Sequence, residues 1–292
     1  MIDLPSNIVL AIAVVIFFGA LTMALGATVT RRRNRRIPKP AGPHHVPHDP
    51  SASWTVDRAL KALILACERE GKLVPGFVMV IVDVTSVHLH LASPTLHPAL
   101  PWITSEDGLV WSCSLAAVQL EPIEARTVNT FTGLVTIGTS DDGRVLVDLA
   151  QARGLISIKG DKESQRAVAR RWIDEFSFNP WSGATRVVLI GLEELATDGA
   201  ATGTLDDLLR DVETDAPGVA FLRETPIGKR AAGLARALES PDCAWPVVTL
   251  GRARNARWKF RAHRNGWVTS DFLPPVRSNE VVSPQPQVWR LR

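Results

Sequence analysis

The rhythm of apolar and polar positions changes along the chain, and each change marks a different kind of element. Residues 8–29 are apolar on every side, and no charged residue stands between Asp3 and Arg31. As a helix this run would span about 33 Å at about 1.5 Å per residue, against a hydrocarbon layer of about 30 Å. A helix satisfies its own backbone hydrogen bonds in lipid, so a transmembrane anchor is expected. A buried core helix would show a polar stripe. A secretory leader would carry its positive charge before the apolar run rather than behind it. Gly19 and Gly26 are seven apart and no Gly-x-x-x-Gly is present, which leaves helix dimerisation open.

From residue 37 the pattern breaks. Pro38, Pro40, Pro43, Pro47 and Pro50 exclude a continuous helix and predict an extended tether over 31–53. His44, His45 and His48 lie in it with no Cys or acid to complete a metal shell, so a solvated linker is expected. Helical spacing begins at Trp54 and runs through Leu60, Leu63, Ile64 and Cys67 to a stop at Gly71. Residues 77–84, 87–92 and 109–114 read as strands, which gives a small α+β module over 54–125. His88 and His90 share one face of the second strand. With His97 they could form a metal trio, but an exposed polar face is the expectation.

Residues 133–137 and 144–148 form a predicted hairpin about Asp141-Asp142-Gly143. Thereafter strands at 154–158, 186–190, 219–222 and 245–250 alternate with helices at 164–176, 205–212 and 228–238. Thr204 is the expected cap of the second helix, with Asp206 and Asp207 in its first turn. Such alternation argues for a parallel sheet with helices on both faces. In 257–263, Arg257, Lys259, Arg261 and His263 alternate with Trp258, Phe260 and Ala262, a strand with a basic outer face. Asn265-Gly266 turns it into 267–269, and 274–292 is expected to be a flexible tail. The predicted fold is α/β: an anchor over 1–30, the tether, the α+β module, then a mainly parallel sheet flanked by helices over 126–273.

Charge refines the picture. The chain is +3 overall, and Arg31, Arg32, Arg33, Arg35, Arg36 and Lys39 against Asp3 account for more than that excess. Basic residues behind the span put the body on the cytoplasmic side and residues 1–7 outside. The arginine cluster should attract anionic lipid. The remaining body is slightly acidic, so no global pull on nucleic acid is expected. The three cysteines, Cys67, Cys113 and Cys243, are odd in number and far apart, which suggests neither a disulfide framework nor a zinc site.

Candidate chemistry concentrates at residues 154–164, where a strand enters a Gly-containing turn and then a helix. Helix N-termini of this kind hold phosphates. A working phosphate loop needs Gly-x-x-x-x-Gly-Lys-Ser/Thr. Here Gly160, Lys162 and Ser164 survive in type but not in spacing, and Asp161 and Glu163 would repel phosphate. A like-charge contact at about 5 Å costs roughly 3 kcal/mol at an effective dielectric near 20. The loop is therefore read as vestigial, with no cofactor. Gly228-Lys229-Arg230 does not replace it, since Arg230 stands where the hydroxyl belongs. Gly-x-Ser-x-Gly and His-Glu-x-x-His are absent, and the acid pairs Asp141-Asp142, Glu193-Glu194 and Asp206-Asp207 do not converge by sequence alone.

Several short runs carry a resemblance. Leu134-Val-Thr-Ile-Gly138, Asp142-Gly143, Val147-Asp-Leu-Ala150 and Leu155-Ile-Ser-Ile-Lys-Gly160 resemble the segment entering the ATP site of FtsK/SpoIIIE-type DNA translocases and type VII secretion ATPases. The chain is also similar to a degenerate module of membrane-anchored actinobacterial proteins with LysM or transcriptional-activator domains. That likeness continues through Asn179-Pro180-Trp181, Val187-Val-Leu-Ile-Gly191, Leu205–Leu209 and Ala256-Arg257-Trp258. It implies a P-loop-like fold on a membrane. The phosphate loop departs from the active ATPases, and Gly191-Leu192-Glu193-Glu194 stands in poorly for their Asp-Glu.

The expected function is a single-pass, membrane-anchored cytoplasmic scaffold on a catalytically inactive translocase-like domain, binding another protein and no small-molecule substrate or metal. The alternative is a membrane-tethered nucleic-acid-binding protein using Arg252, Arg254, Arg257, Lys259, Arg261 and Arg264, with Trp258 and Phe260 to stack on bases. The same basic face could instead meet anionic lipid, or only water.

Overall fold

The computed structural model describes residues 50–123, 131–182, 185–214, 216–240, 243 and 245–278. The expected anchor, the cluster Arg31, Arg32, Arg33, Arg35 and Arg36, and the histidines of the tether lie outside these residues. No helix among the described residues is long and apolar enough to cross a membrane.

Helix α1 (Pro50–Arg69) buries Val56, Ala59, Leu60, Leu63, Ala66 and Cys67, the stripe that helical spacing demands. Gly71 ends it in a left-handed conformation (φ 62°), and the amide of Lys72 donates back to the Cys67 carbonyl at 2.8 Å. Strands β1 (Phe77–Val82) and β2 (Ser86–Leu91) come next, then β3 (Ile103–Thr104), β4 (Val110–Ser114) and the short helix α2 (Leu115–Leu120), capped by Ser114. Strands β5 (Leu134–Ser140) and β6 (Gly143–Asp148) form the expected hairpin, with Ser140 opposite Gly143.

Beyond a 3-10 turn at Leu149–Ala152 come β7 (Leu155–Lys159), α3 (Lys162–Phe178), β8 (Arg186–Ile190) and β9 (Ala200–Thr202). Helix α4 (Leu205–Asp211), β10 (Gly218–Leu222), α5 (Gly228–Glu239) and β11 (Val247–Leu250) continue the alternation. Strands β12 (Trp258–Ala262), β13 (Trp267–Thr269) and β14 (Val276–Arg277) close it. In α4, Thr204 and Asp207 make a reciprocal capping box.

Among the described residues all strands join one 14-stranded sheet, in the order β3-β4-β2-β1-β6-β5-β14-β13-β12-β7-β11-β10-β8-β9. The expectation of a mainly parallel sheet is corrected: the sheet is largely antiparallel, and only β12, β7, β11, β10, β8 and β9 pair in parallel. The reason is connection length. Tight turns after β1, β5 and β12 can only return the chain antiparallel, whereas the segments holding α3, α4 and α5 are long enough to cross over. The first residues of the expected flexible tail also belong to the sheet. Val276 is buried, β14 pairs with β13, and Arg277 lies opposite Thr139 of β5, so this short strand bridges the two halves. Gly138 permits that approach, since a Cβ there would run into the Arg277 carbonyl.

In the parallel half, alternate side chains serve opposite faces. Ile156, Ile158, Val187, Leu189, Val219, Phe221 and Val248 meet Val168, Trp172, Ile173 and Phe176 of α3. Leu155, Val188, Ala220, Leu222 and Val247 meet Leu208 of α4 and Leu234 and Leu238 of α5. Each fully buried side chain of this size contributes about 1.5–3 kcal/mol, so register is strongly specified. In the antiparallel half, α1 and α2 cover Phe77, Val80, Leu89, Trp111 and Leu146.

The connection from β11 to β12 differs from the other crossovers in carrying no helix. Both strands flank β7 and run parallel to it, so residues 251–257 must cross its face as a strap. The Gly251 amide donates to the Ile158 carbonyl (2.8 Å) and the Arg257 amide to that of Leu155 (2.7 Å), while Ala253 and Ala256 press into the α4/α5-side core.

Candidate functional site

Open parallel sheets present ligand-binding loops at the C-terminal ends of their strands, which directs attention to the rim where β7, β8, β10 and β11 end. Only Gly160 and Asp161 separate β7 from α3. Gly160 holds φ 142° with its Cα against the Ala262 carbonyl, an approach closed to any side chain. Asp161 caps α3: one carboxylate oxygen accepts from the Ser164 amide at 3.0 Å, the other from the Ser164 hydroxyl at 2.8 Å. The Gln165 side-chain amide closes the turn by donating to the Gly160 carbonyl at 2.7 Å. The Ser164 amide and hydroxyl hold the Asp161 carboxyl below the usual carboxylate range, with Arg264 adding to the effect. The Ser164 amide and hydroxyl at the start of α3 thus face the protein's own carboxylate. Lys162 is exposed beside it. The sequence pointed to Gly160, Lys162 and Ser164, and the structure makes Asp161 the organising residue of the turn. An Asp three residues before a Ser at a helix start is a capping signal that a search for a phosphate loop passes over.

The rest of the rim is tied in the same way. Arg223, just past β10, donates to Glu194 at 2.6 Å and to the Gly191 carbonyl, and Arg166 of α3 reaches the other Glu194 oxygen at 3.2 Å. Glu194 is held below its ordinary range by its own amide and then by Arg223 and Arg166. Glu194, one of the acid pair Glu193-Glu194, is thus held by two guanidinium groups. Arg230 pairs with Asp206 at 2.9 Å and ties α5 to α4.

Strand β12 has the predicted alternation. Lys259 and Arg261 are exposed, while Phe260 and Ala262 are buried. The rings do not accompany the cations: Trp258 packs on Phe272 at 4.8 Å, and Phe260 meets Trp172 edge-on at 5.2 Å. Lys259 stands opposite Ser157 and Arg261 opposite Lys159 on β7. Arg252, Arg254 and Arg257 on the strap are exposed as well. Arg264 reaches Asp161 at 3.5 Å; among the described residues the other five have no ion pair.

No protein-family model matches the sequence, and no curated protein matches it. Among solved structures, the cytoplasmic domain of the type VII secretion ATPase EccC from Thermomonospora curvata is similar with a TM-score of 0.36 at 10% identity, covering 49% of this chain and 25% of that one. The pCW3 conjugation coupling protein TcpA, in its monomer form with ATPγS, is similar with a TM-score of 0.32 at 9% identity, covering 70% and 83%. ATPases 2 and 3 of Thermomonospora curvata EccC, in complex with a signal sequence peptide, are similar with a TM-score of 0.35 at 10% identity, covering 61% and 51%. The chain therefore spans a quarter of the first EccC structure and about half of the second. At these scores the likenesses transfer no site residue to this chain.

The antiparallel half holds polar clusters that sequence reasoning missed. His88 joins Ser112 through Nδ1 at 2.8 Å and Asp83 through Nε2 at 3.0 Å. Asp83 is held far below the usual carboxylate range by the Thr85 amide first and then by His88. Burial, and then His88, hold His90 below the usual imidazole range. His97 is exposed, and no metal-ligating group of three occurs among the described residues. Alternation put His88 and His90 on one face, but only strand register brings Ser112 opposite His88. Glu175 of α3 accepts from the Thr136 amide (3.0 Å) and hydroxyl (2.5 Å) and from Arg144 at 3.3 Å, while Arg144 lies over the Trp181 ring. Burial raises Glu175, opposed by Arg144. Asp148 caps the 3-10 turn through the Ala150 amide at 3.1 Å and is pushed up to about 6 by burial. It borders a cavity of about 300 Å³ lined also by Val74, Phe77, Phe131 and Gln151.

Proposed function

We propose that this chain is a membrane-tethered interaction module, built on a P-loop-like sheet, that does not turn over nucleotide. The observation carrying this reading is the Asp161 carboxylate on the first-turn amide of α3 and on Ser164. A phosphate arriving there would meet an anion already holding the donors it needs. The arginines on Glu194 support the same reading, since they neutralise one acid of the pair that stands where the active ATPases carry Asp-Glu. In this reading residues 8–29 span the bilayer, Arg31–Arg36 lie against anionic headgroups, and the body faces the cytoplasm. The chain would then be akin to the degenerate module of membrane-anchored actinobacterial LysM and transcriptional-activator-domain proteins. Its protein partner would engage sheet ends and helix faces.

Thermal shift with magnesium-ATP and magnesium-GTP tests the first part. A ligand at 100 times its dissociation constant adds about 2.7 kcal/mol, so an unchanged Tm is expected and a clear rise refutes the reading. Protease accessibility in sealed membranes tests the orientation, with residues 50–278 expected on the cytoplasmic side. Nucleic-acid binding through β12 is the second reading. Its cations are present, but the inward-turned Trp258 and Phe260 give it no stacking platform.

A further inference from the structure

The strap over β7 and the outer side of β12 form one surface. Ala253 and Ala256 point into the α4/α5-side core, so Arg252, Arg254 and Arg257 are carried on the strap's outer side. Phe260 and Ala262 point into the α3-side core, so Lys259 and Arg261 emerge on the same side of the sheet as the strap. Five cations without an ion pair among the described residues therefore share a face. The loop after β10 abuts it: the Thr225 hydroxyl lies 3.3 Å from that of Thr249 and 3.5 Å from the Arg252 carbonyl. That loop carries Ile227, which is 87% exposed. Acids near it include Glu224 in the loop and Asp161, the latter facing Arg264.

We propose that this face docks onto an anionic lipid bilayer, with Arg252, Arg254, Arg257, Lys259 and Arg261 among the headgroups and Ile227 in the interfacial layer. Charge complementarity identifies the class of partner, and two observations select lipid over nucleic acid. The aromatic rings interleaved with the cations are packed inward, which removes base stacking. An isolated, fully projecting aliphatic side chain at the margin suits the boundary between headgroups and acyl chains. This docking goes beyond a tether, since it is a property of the folded body and of residues far from the expected anchor in sequence.

The test uses the full chain in nanodiscs of phosphatidylcholine alone or with phosphatidylglycerol, read by hydrogen exchange of residues 251–264 and of the Ile227 loop. Protection is expected only in the anionic discs and should vanish in high salt. The variant with Arg257→Ser, Lys259→Ser and Arg261→Ser should lose it while retaining Tm. Each basic residue near an anionic surface is worth roughly fivefold in partition, so the triple change should weaken association about 100-fold. Arg257→Lys with Arg261→Lys should keep it, because the interaction requires charge rather than a guanidinium fork. Equal protection in both discs, or none in either, overturns the proposal. So does protection by a DNA oligonucleotide where anionic discs give none. If the chain is retained by neither disc, the tether reading fails on its own. Flotation with anionic vesicles then decides the face, and absence of binding overturns the docking.

Discussion

The two halves of the sheet manage their charged groups in opposite ways. In the parallel half, the rim where an α/β fold would hold a ligand carries acids bound to a cap or to arginines: half-buried Asp161 to Ser164, and exposed Glu194 to Arg166 and Arg223 and Asp206 to Arg230. Against the antiparallel half some ionisable groups are drawn inside, one of them from α3. Glu175 lies against Arg144 and Thr136, Asp148 beneath the 3-10 turn, and His90 is desolvated on the sheet face. The carboxyls that burial raises, Asp148 and Glu175, therefore lie away from the place that topology nominates for chemistry, whereas Asp161 and Glu194 at that place are lowered. The difference comes from packing. Helices α3, α4 and α5 cover the parallel strands largely with apolar side chains, whereas the hairpin of β5 and β6 sets Thr136 and Arg144 against Glu175 of α3.

Removing a partner from the interior should have the largest effect. Glu175→Ala leaves Arg144 half-buried without its acid and should cost about 3 kcal/mol, read as a lower urea midpoint at unchanged slope. A loss no larger than that of a surface ion pair would mean the two halves do not differ as described.

Asp148 gives a pH signature of similar size. Its native pKa is raised to about 6 from an ordinary value of 3.8, so the folded state holds the proton more tightly than the unfolded state does. Stability from this group is full below about pH 4 and is lost as pH climbs through 6, by about 3 kcal/mol at about 1.4 kcal/mol per unit. Asp148→Asn should flatten that decline in a series of thermal melts from pH 4 to 7. A parallel decline in the variant would assign the slope to other groups, Glu175 first.

On the rim the effects are smaller. Asp161→Ala removes the cap of α3 and should lower Tm by about 3 °C. Asp161→Asn sharpens the contrast further. A magnesium-ATP shift that appeared in this variant and not in the parent chain would mean a phosphate site masked by one carboxylate rather than one that is gone. Smallest of all, Lys162→Ala should change neither Tm nor membrane association, and a clear change in either would give this exposed lysine a role.

Much of the fold was legible in the sequence. The strand at Arg186–Ile190, the Thr204 cap, the buried stripe of α3 and the alternation of β12 all arise from local rules of period and capping. The sheet's overall direction was misjudged, because pairing depends on which strands meet. Strand β14, only two residues long, carries no period at all. The strand, glycine turn and helix around residues 155–178 were legible from period and turn chemistry. The role of Asp161 was missed because a charge was weighed against an imagined ligand instead of against the helix's own amides.

Period, capping chemistry and charge spacing determined where strands and helices lie and which side chains face inward, since those depend on neighbours within a few residues. The tertiary structure alone decided three things: that the halves share one sheet, that Ser112 meets His88 and Glu175 meets Arg144, and that the strap and β12 pool their cations on one face. Each of these joins residues distant in sequence, and such contacts are set by register and crossover, which no local pattern encodes.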